Sequence, residues 1–96
     1  LTLEFKPILP GWMFTPKPSN GFGAGTYAFK FLGTTLVVYH NAGRVDTFGP
    51  CAVKPVRVMV KYAGGRPVIV QGGVLTGGLA QDIRGGKVER VDITLM

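Results

Sequence analysis

Four pairs of adjacent glycines divide the second half of the chain into short segments. The pairs are Gly64-Gly65, Gly72-Gly73, Gly77-Gly78 and Gly85-Gly86. Glycine adopts positive φ at no steric cost, and it weakens the interior of helices and strands. Glycine pairs at such short intervals predict tight chain reversals between short strands. Because the spacing leaves no room for a long helix, the sequence predicts an all-β domain.

Two segments show the clearest alternation of apolar and polar residues, residues 26–32 and residues 56–62. This period of two is typical of strands. In the first segment the predicted core face carries Tyr27, Phe29 and Phe31. In the second it carries Val56, Val58, Val60 and Tyr62. Further strands are predicted at residues 1–5, 35–40, 44–48, 68–70 and 87–96, with a single helical turn possible at 79–84.

These segments amount to about seven short, mostly antiparallel strands. Short strands in close succession must close on themselves or stack to hide their edges. The predicted fold is therefore a small closed or partly open barrel, or a compact sandwich. The chain of 96 residues corresponds to one domain, residues 1–96, with a loop rich in proline and glycine at 15–25.

The chain is apolar for its size. Hydrophobic residues make up 46 % and charged residues only 17 %, whereas an average globular domain has about 25 % charged residues. A small domain has a large surface for its volume and needs polar cover. We therefore expect some apolar surface to be covered by another copy or by a partner. The alternative is that glycine, threonine and backbone atoms cover the surface.

The chain is also basic, with eleven Lys and Arg against five Asp and Glu and a net charge of +6. Such a charge attracts nucleic acid, anionic lipid headgroups or acidic protein surfaces. The charges are spread singly, with no run of Lys or Arg, so the signal for nucleic-acid binding is modest. The alternative is that the charge keeps an apolar small protein soluble. If the charge serves nucleic-acid binding, the candidate residues are Lys30, Arg57, Lys61, Arg66 and, for base stacking, Trp12.

No set of residues predicts catalysis. Ser19 is the only serine of the chain and Cys51 the only cysteine. By residue type alone, either of them forms a candidate catalytic triad with His40 and Asp46. Neither lies in a motif typical of an activated nucleophile. The glycine-rich stretch at 21–25 lacks the last glycine of the dinucleotide-binding pattern and precedes a strand. We expect no enzyme activity and no cofactor.

A structural zinc site needs about four nitrogen or sulfur ligands, and one histidine with one cysteine does not supply them. We therefore expect no metal. With Cys51 alone, no disulfide can form within the chain, which favours an intracellular or virion setting over secretion. No apolar stretch approaches the about 20 residues that span a bilayer. The start at Leu1 in place of Met indicates a processed or truncated terminus.

The leading functional hypothesis is a non-enzymatic structural module that associates with copies of itself, as components of virus particles or other repeating assemblies do. Residues 15–25 and 87–96 are its candidate contact elements. The alternative is a small nucleic-acid-binding protein of the OB-like or SH3-like type that uses a basic sheet face.

Overall fold

The computed structural model describes residues 2–5, 25–41 and 55–96. Within these ranges the chain forms seven strands and one helix. Their bounds are β1 Thr2–Glu4, β2 Thr26–Phe31, β3 Thr35–Asn41, β4 Pro55–Lys61, β5 Val68–Gln71, β6 Val74–Thr76, α1 Gly77–Arg84 and β7 Arg90–Leu95. The all-β prediction with short strands is confirmed. Residues 15–24 of the predicted loop and the predicted strand at 44–48 lie outside the described residues.

Five strands form one mixed sheet in the order β2-β3-β7-β4-β5. Only β3 and β7 run parallel in this sheet, and its other neighbours are antiparallel. Strands β1 and β6 form a separate antiparallel pair. Because β2 and β5 occupy opposite edges and do not pair, the sheet is open in the described part of the chain. Of the predicted architectures, the compact sandwich fits and the closed barrel does not.

The core lies between the inner face of the five-stranded sheet and a second layer made of α1 and the β1–β6 pair. Its buried residues are Phe5, Val37, Tyr39, Val58, Val60, Leu75, Ala80, Ile83, Val88, Val91, Ile93 and Leu95. The three aromatic residues predicted for the core, Tyr27, Phe29 and Phe31, pack partly buried against this cluster. Folding thus removes the apolar side chains of both layers from water, and this burial is the main contribution to the stability of the domain.

The Gly77-Gly78 pair begins α1 and the Gly85-Gly86 pair follows its end, so neither pair joins two strands directly, which corrects the prediction for both. Ala80 and Ile83 lie three positions apart on one face of α1, and both are fully buried. A helix of eight residues is marginal in isolation, so its burial against the sheet accounts for its formation. No helix in residues 2–5, 25–41 and 55–96 is long and apolar enough to cross a membrane.

Val56 does not join the inner face, contrary to prediction. The register of β4 on β7 shifts between Pro55 and Arg57, so Val56 is an extra residue on its strand. It is 37 % exposed, whereas Val58 and Val60 are fully buried. A bulge of this kind leaves one residue unpaired and redirects its side chain, and alternation along a single strand does not reveal it.

Residues 87–96, which were predicted to contact a second copy, contain β7, the central strand of the five-stranded sheet. This strand has β3 on one side and β4 on the other. Both backbone edges of β7 are therefore hydrogen-bonded inside the protomer, and β7 has no edge to offer to a second copy.

Candidate functional site

The outer face of the five-stranded sheet is turned away from α1, and the strand registers align its residues in rows across the sheet. One row contains Lys30, Leu36, Arg90 and Lys61. The middle row contains Ala28, Val38, Asp92, Met59 and Ile69. The third contains Thr26, His40, Thr94, Arg57 and Gln71. These outer positions are called the basic face below.

The basic face contains an open depression of about 480 Å³. Its lining residues are His40, Arg57, Met59, Lys61, Arg90, Asp92 and Thr94. They come from three neighbouring strands, β3, β7 and β4, whose alternation places every second side chain on this side. The depression therefore brings together polar residues from three separate parts of the sequence.

Asp92 is the hydrogen-bonding centre of the depression. The Nε atom of Arg90 donates to Oδ2 of Asp92 at 2.9 Å, and Nη2 donates to Oδ1 at 2.9 Å. The Nε2 atom of His40 lies 2.8 Å from the same Oδ1. Two parallel N–H···O bonds between a guanidinium and a carboxylate are short, strong and geometrically specific. Arg90, Asp92 and His40 thus form a fixed polar cluster on the floor of the depression.

This cluster keeps the carboxyl group of Asp92 ionised. Burial by itself would raise the pKa of Asp92, because the residue is only 9 % exposed. The hydrogen bonds from Arg90 and His40, together with their charges, outweigh burial and hold the pKa of Asp92 below its ordinary value. The negative charge of Asp92 is therefore present at neutral pH and is offset locally by Arg90.

The structure gives the remaining cations of the basic face no such partner among the residues that it describes. Within the described part of the chain, no carboxylate forms an ion pair with Lys30, Arg57 or Lys61. Asp92 is the only acidic residue at the outer positions of the five described strands. The basic face consequently carries a net positive charge, and its chemistry is suited to binding an anion.

The structure brings together three of the residues named as a possible nucleic-acid site. Arg57 and Lys61 line the depression, and Lys30 lies on the same face on the edge strand β2. Arg66 is exposed in the connection between β4 and β5. Trp12 lies outside the described residues.

Sequence reasoning missed Arg90 and His40 as members of this site. The alternation of β7 already places Arg90, Asp92 and Thr94 on the face opposite Val91 and Ile93. What the alternation does not reveal is that β7 lies beside β4 and β3. The sequence therefore indicated which way the side chains of β7 point, but it did not indicate which strands lie beside β7.

Of the residues considered for catalysis, the structure describes only His40. Ser19, Asp46 and Cys51 lie outside the described residues, and the carboxylate that contacts His40 is that of Asp92. Within residues 2–5, 25–41 and 55–96, no group of three or more His, Cys, Asp or Glu residues is arranged to hold a metal ion.

Comparisons of this chain with protein-family models, with curated proteins and with solved structures gave no match.

Proposed function

We propose that this chain is a non-enzymatic assembly module that associates with copies of itself through the edge of β5. The observation that supports this proposal most directly is the position of β5 in the sheet. It pairs with β4 on one side, and within the described ranges no strand lies on its other side. The backbone N–H and C=O groups of an edge strand are available to pair with a strand from another chain.

The side chains of β5 also favour association. Val68 is 38 % exposed and Ile69 is 55 % exposed, and as successive residues they project from opposite faces of the sheet. The strand Val68–Gln71 contains no charged residue. Proteins usually protect an edge strand with charged residues, prolines or bulges placed on it. Here Arg66 and Pro67 precede the strand, and the strand itself carries none of these features.

Antiparallel pairing of β5 with β5 of a second copy gives a symmetric contact in which each protomer uses the same surface. The two five-stranded sheets would then continue into one another. Since side chains opposite each other in paired strands point to the same side, both basic faces would lie on one side of the combined sheet.

The test uses Ile69→Lys, which places a charge on the exposed edge. Leu32→Lys is the matched control, because Leu32 is 63 % exposed and lies in the turn between β2 and β3, away from β5. Sedimentation velocity and native mass spectrometry at micromolar concentration should show association for the wild type and the control. Ile69→Lys should be monomeric. A wild-type protein that stays monomeric at every concentration contradicts the proposal.

A second candidate function is nucleic-acid binding by the basic face. The specific observation in its favour is that Lys30, Arg57 and Lys61 share this face with no ion-pair partner in the described part of the chain. Affinity for oligonucleotides should fall steeply as salt rises, because neutralised phosphates release their counterions. Replacing Arg57 and Lys61 together by Glu should abolish binding. Absence of binding by the wild type at low salt overturns this candidate.

A further inference from the structure

We propose that the basic face binds the phosphate backbone of single-stranded nucleic acid and does not read its bases. This inference rests on the second candidate function above and specifies its ligand and its mode of recognition. Three properties of the described residues support it: the breadth of the sheet, the absence of aromatic side chains from its outer positions, and the spacing of its cations.

The breadth of the sheet favours a single strand over a duplex. Five strands spaced about 4.8 Å apart give a sheet about 19 Å wide. Val38 on its outer side is fully buried, so the accessible part of the basic face is centred on the depression. The major groove of B-DNA is about 12 Å wide, so a face of this breadth does not enter it to reach base edges. A flexible single strand can instead bend into a shallow depression and bring successive phosphates to the cations that border it.

The outer positions of the described strands contain no Phe, Tyr or Trp. Proteins that hold the bases of a single strand stack them on exposed aromatic side chains. The aromatic residues of β2 point the other way, since Tyr27, Phe29 and Phe31 pack against the core. We therefore expect affinity at the basic face to come from charge. Because the phosphates are the same in every base sequence, this affinity should not depend on the sequence.

The cations that lack an ion-pair partner among the described residues are widely spaced across the basic face. Arg57 and Lys61 are four positions apart on β4, which separates their Cα atoms by about 13 Å at about 3.3 Å per residue. Lys30 lies in the same row as Lys61, three strand intervals away, or about 14 Å. Contacts so far apart suit an extended chain of phosphates better than one small anion.

The fixed cluster of Arg90, Asp92 and His40 lies among these cations. The guanidinium of Arg90 offsets the charge of Asp92, so the carboxylate does not repel a nearby phosphate strongly. Counting only Lys30, Arg57 and Lys61, three phosphates are neutralised. For single strands each neutralised phosphate contributes about −0.7 to the slope of log affinity against log salt, which predicts a slope of about −2.

The experiment measures fluorescence anisotropy of labelled deoxythymidine, deoxyadenosine and deoxycytidine homopolymers of equal length over a series of salt concentrations. We expect dissociation constants within about threefold of one another and a salt slope of about −2. Arg57→Gln should weaken binding to all three homopolymers equally and make the slope shallower by about 0.7. The control Arg84→Gln should leave binding unchanged, because Arg84 is exposed on α1 in the opposite layer.

The possible failures are distinguishable. A preference above about tenfold for one homopolymer, or a similar loss of affinity in Trp12→Ala, overturns recognition by the backbone alone while nucleic-acid binding stands. Tighter binding to a duplex than to its separated strands overturns the single-strand assignment. Binding only to acidic peptides or to anionic lipid vesicles overturns both this inference and the second candidate function. Self-association through β5 is unaffected by any of these results.

Discussion

Arg90 holds both carboxylate oxygens of Asp92, its neighbour two positions along the central strand, through N–H···O bonds of 2.9 Å. Both residues project from the outer side of β7, because alternate residues of a strand share a face. His40 of the parallel neighbour β3 contacts the same carboxylate at 2.8 Å. The contact joins two adjacent strands on the floor of the depression, and it leaves Arg57 and Lys61 as the cations available to a ligand.

Asp92 should make stability depend on pH in acid. Its folded-state pKa is below the ordinary value of 3.8, so its interactions stabilise the fold fully above that pH and are lost as pH falls through the folded pKa. Asp92→Asn should lower the free energy of unfolding by about 1–3 kcal/mol at neutral pH. Urea denaturation at several pH values should show that its stability falls less in acid than that of the wild type. Equal acid dependence in the wild type and in Asp92→Asn would refute this role.

Tyr62 should make stability depend on pH in alkali. Its hydroxyl donates a hydrogen bond of 2.7 Å to Asp82 of α1, and this bond, with some burial and the charge of Asp82, raises the pKa of Tyr62 above 10.0. A raised pKa stabilises the fold below pH 10.0 and ceases to do so as pH rises through the folded value.

Tyr62→Phe should therefore be less stable than the wild type at neutral pH and approach it above the folded pKa of Tyr62. Denaturation of Tyr62→Phe, Asp82→Asn and the double variant should give a coupling energy that disappears in strong alkali. Burial raises the pKa of Tyr39 to about 12. Because Tyr39 is present in every variant, its ionisation affects the stability of all of them alike. A coupling energy of zero at neutral pH would exclude a contribution from the hydrogen bond.

Gly73 is required where β5 turns into β6. A Cβ atom at this position would lie 2.7 Å from Cβ and 2.8 Å from Cγ of Pro55, and 3.4 Å from the carbonyl oxygen of Phe5. Gly73→Ala should therefore destabilise the fold by about 1–3 kcal/mol. At Gly78 in α1 a Cβ atom meets nothing within 4 Å, so Gly78→Ala should stabilise by about 0.5–1 kcal/mol. Thermal denaturation of the two variants should shift in opposite directions, and a shift in the same direction is inconsistent with this explanation.

Leu32 occupies a backbone conformation that suits asparagine better. Its φ is 51° and that of Gly33 is 76° in the turn between β2 and β3, which the N–H of Thr34 closes by donating to the carbonyl of Phe31 at 3.1 Å. Turns with positive φ at both central positions favour Asn-Gly. Leu32→Asn should stabilise by roughly 1 kcal/mol, measured by urea denaturation. Leu32→Ala removes the same exposed side chain and keeps the strain, so an equal gain in both variants argues against a backbone effect.

Much of the outer face was predictable one strand at a time. Alternation in β4 places Arg57 and Lys61 opposite Val58 and Val60, and the fully buried valines confirm this orientation. The position of Val56 was not predictable, because the bulge arises from the pairing of β4 with β7. The partner of His40 was not predictable either, since Asp92 is 52 positions away in sequence.

The sequence by itself determined the class of fold, most strand positions and, away from the bulge at Val56, which side chains of a strand share a face. These properties are local, because they follow from the two-residue period of a strand and from the conformational freedom of glycine. Only the tertiary structure decided that β7 lies between β3 and β4 and that Gly77-Gly78 begins a helix. Strand order and helix formation depend on which distant segments bury apolar surface against one another. The free energy of this burial is gained only when the core assembles, so it cannot be read from any single segment.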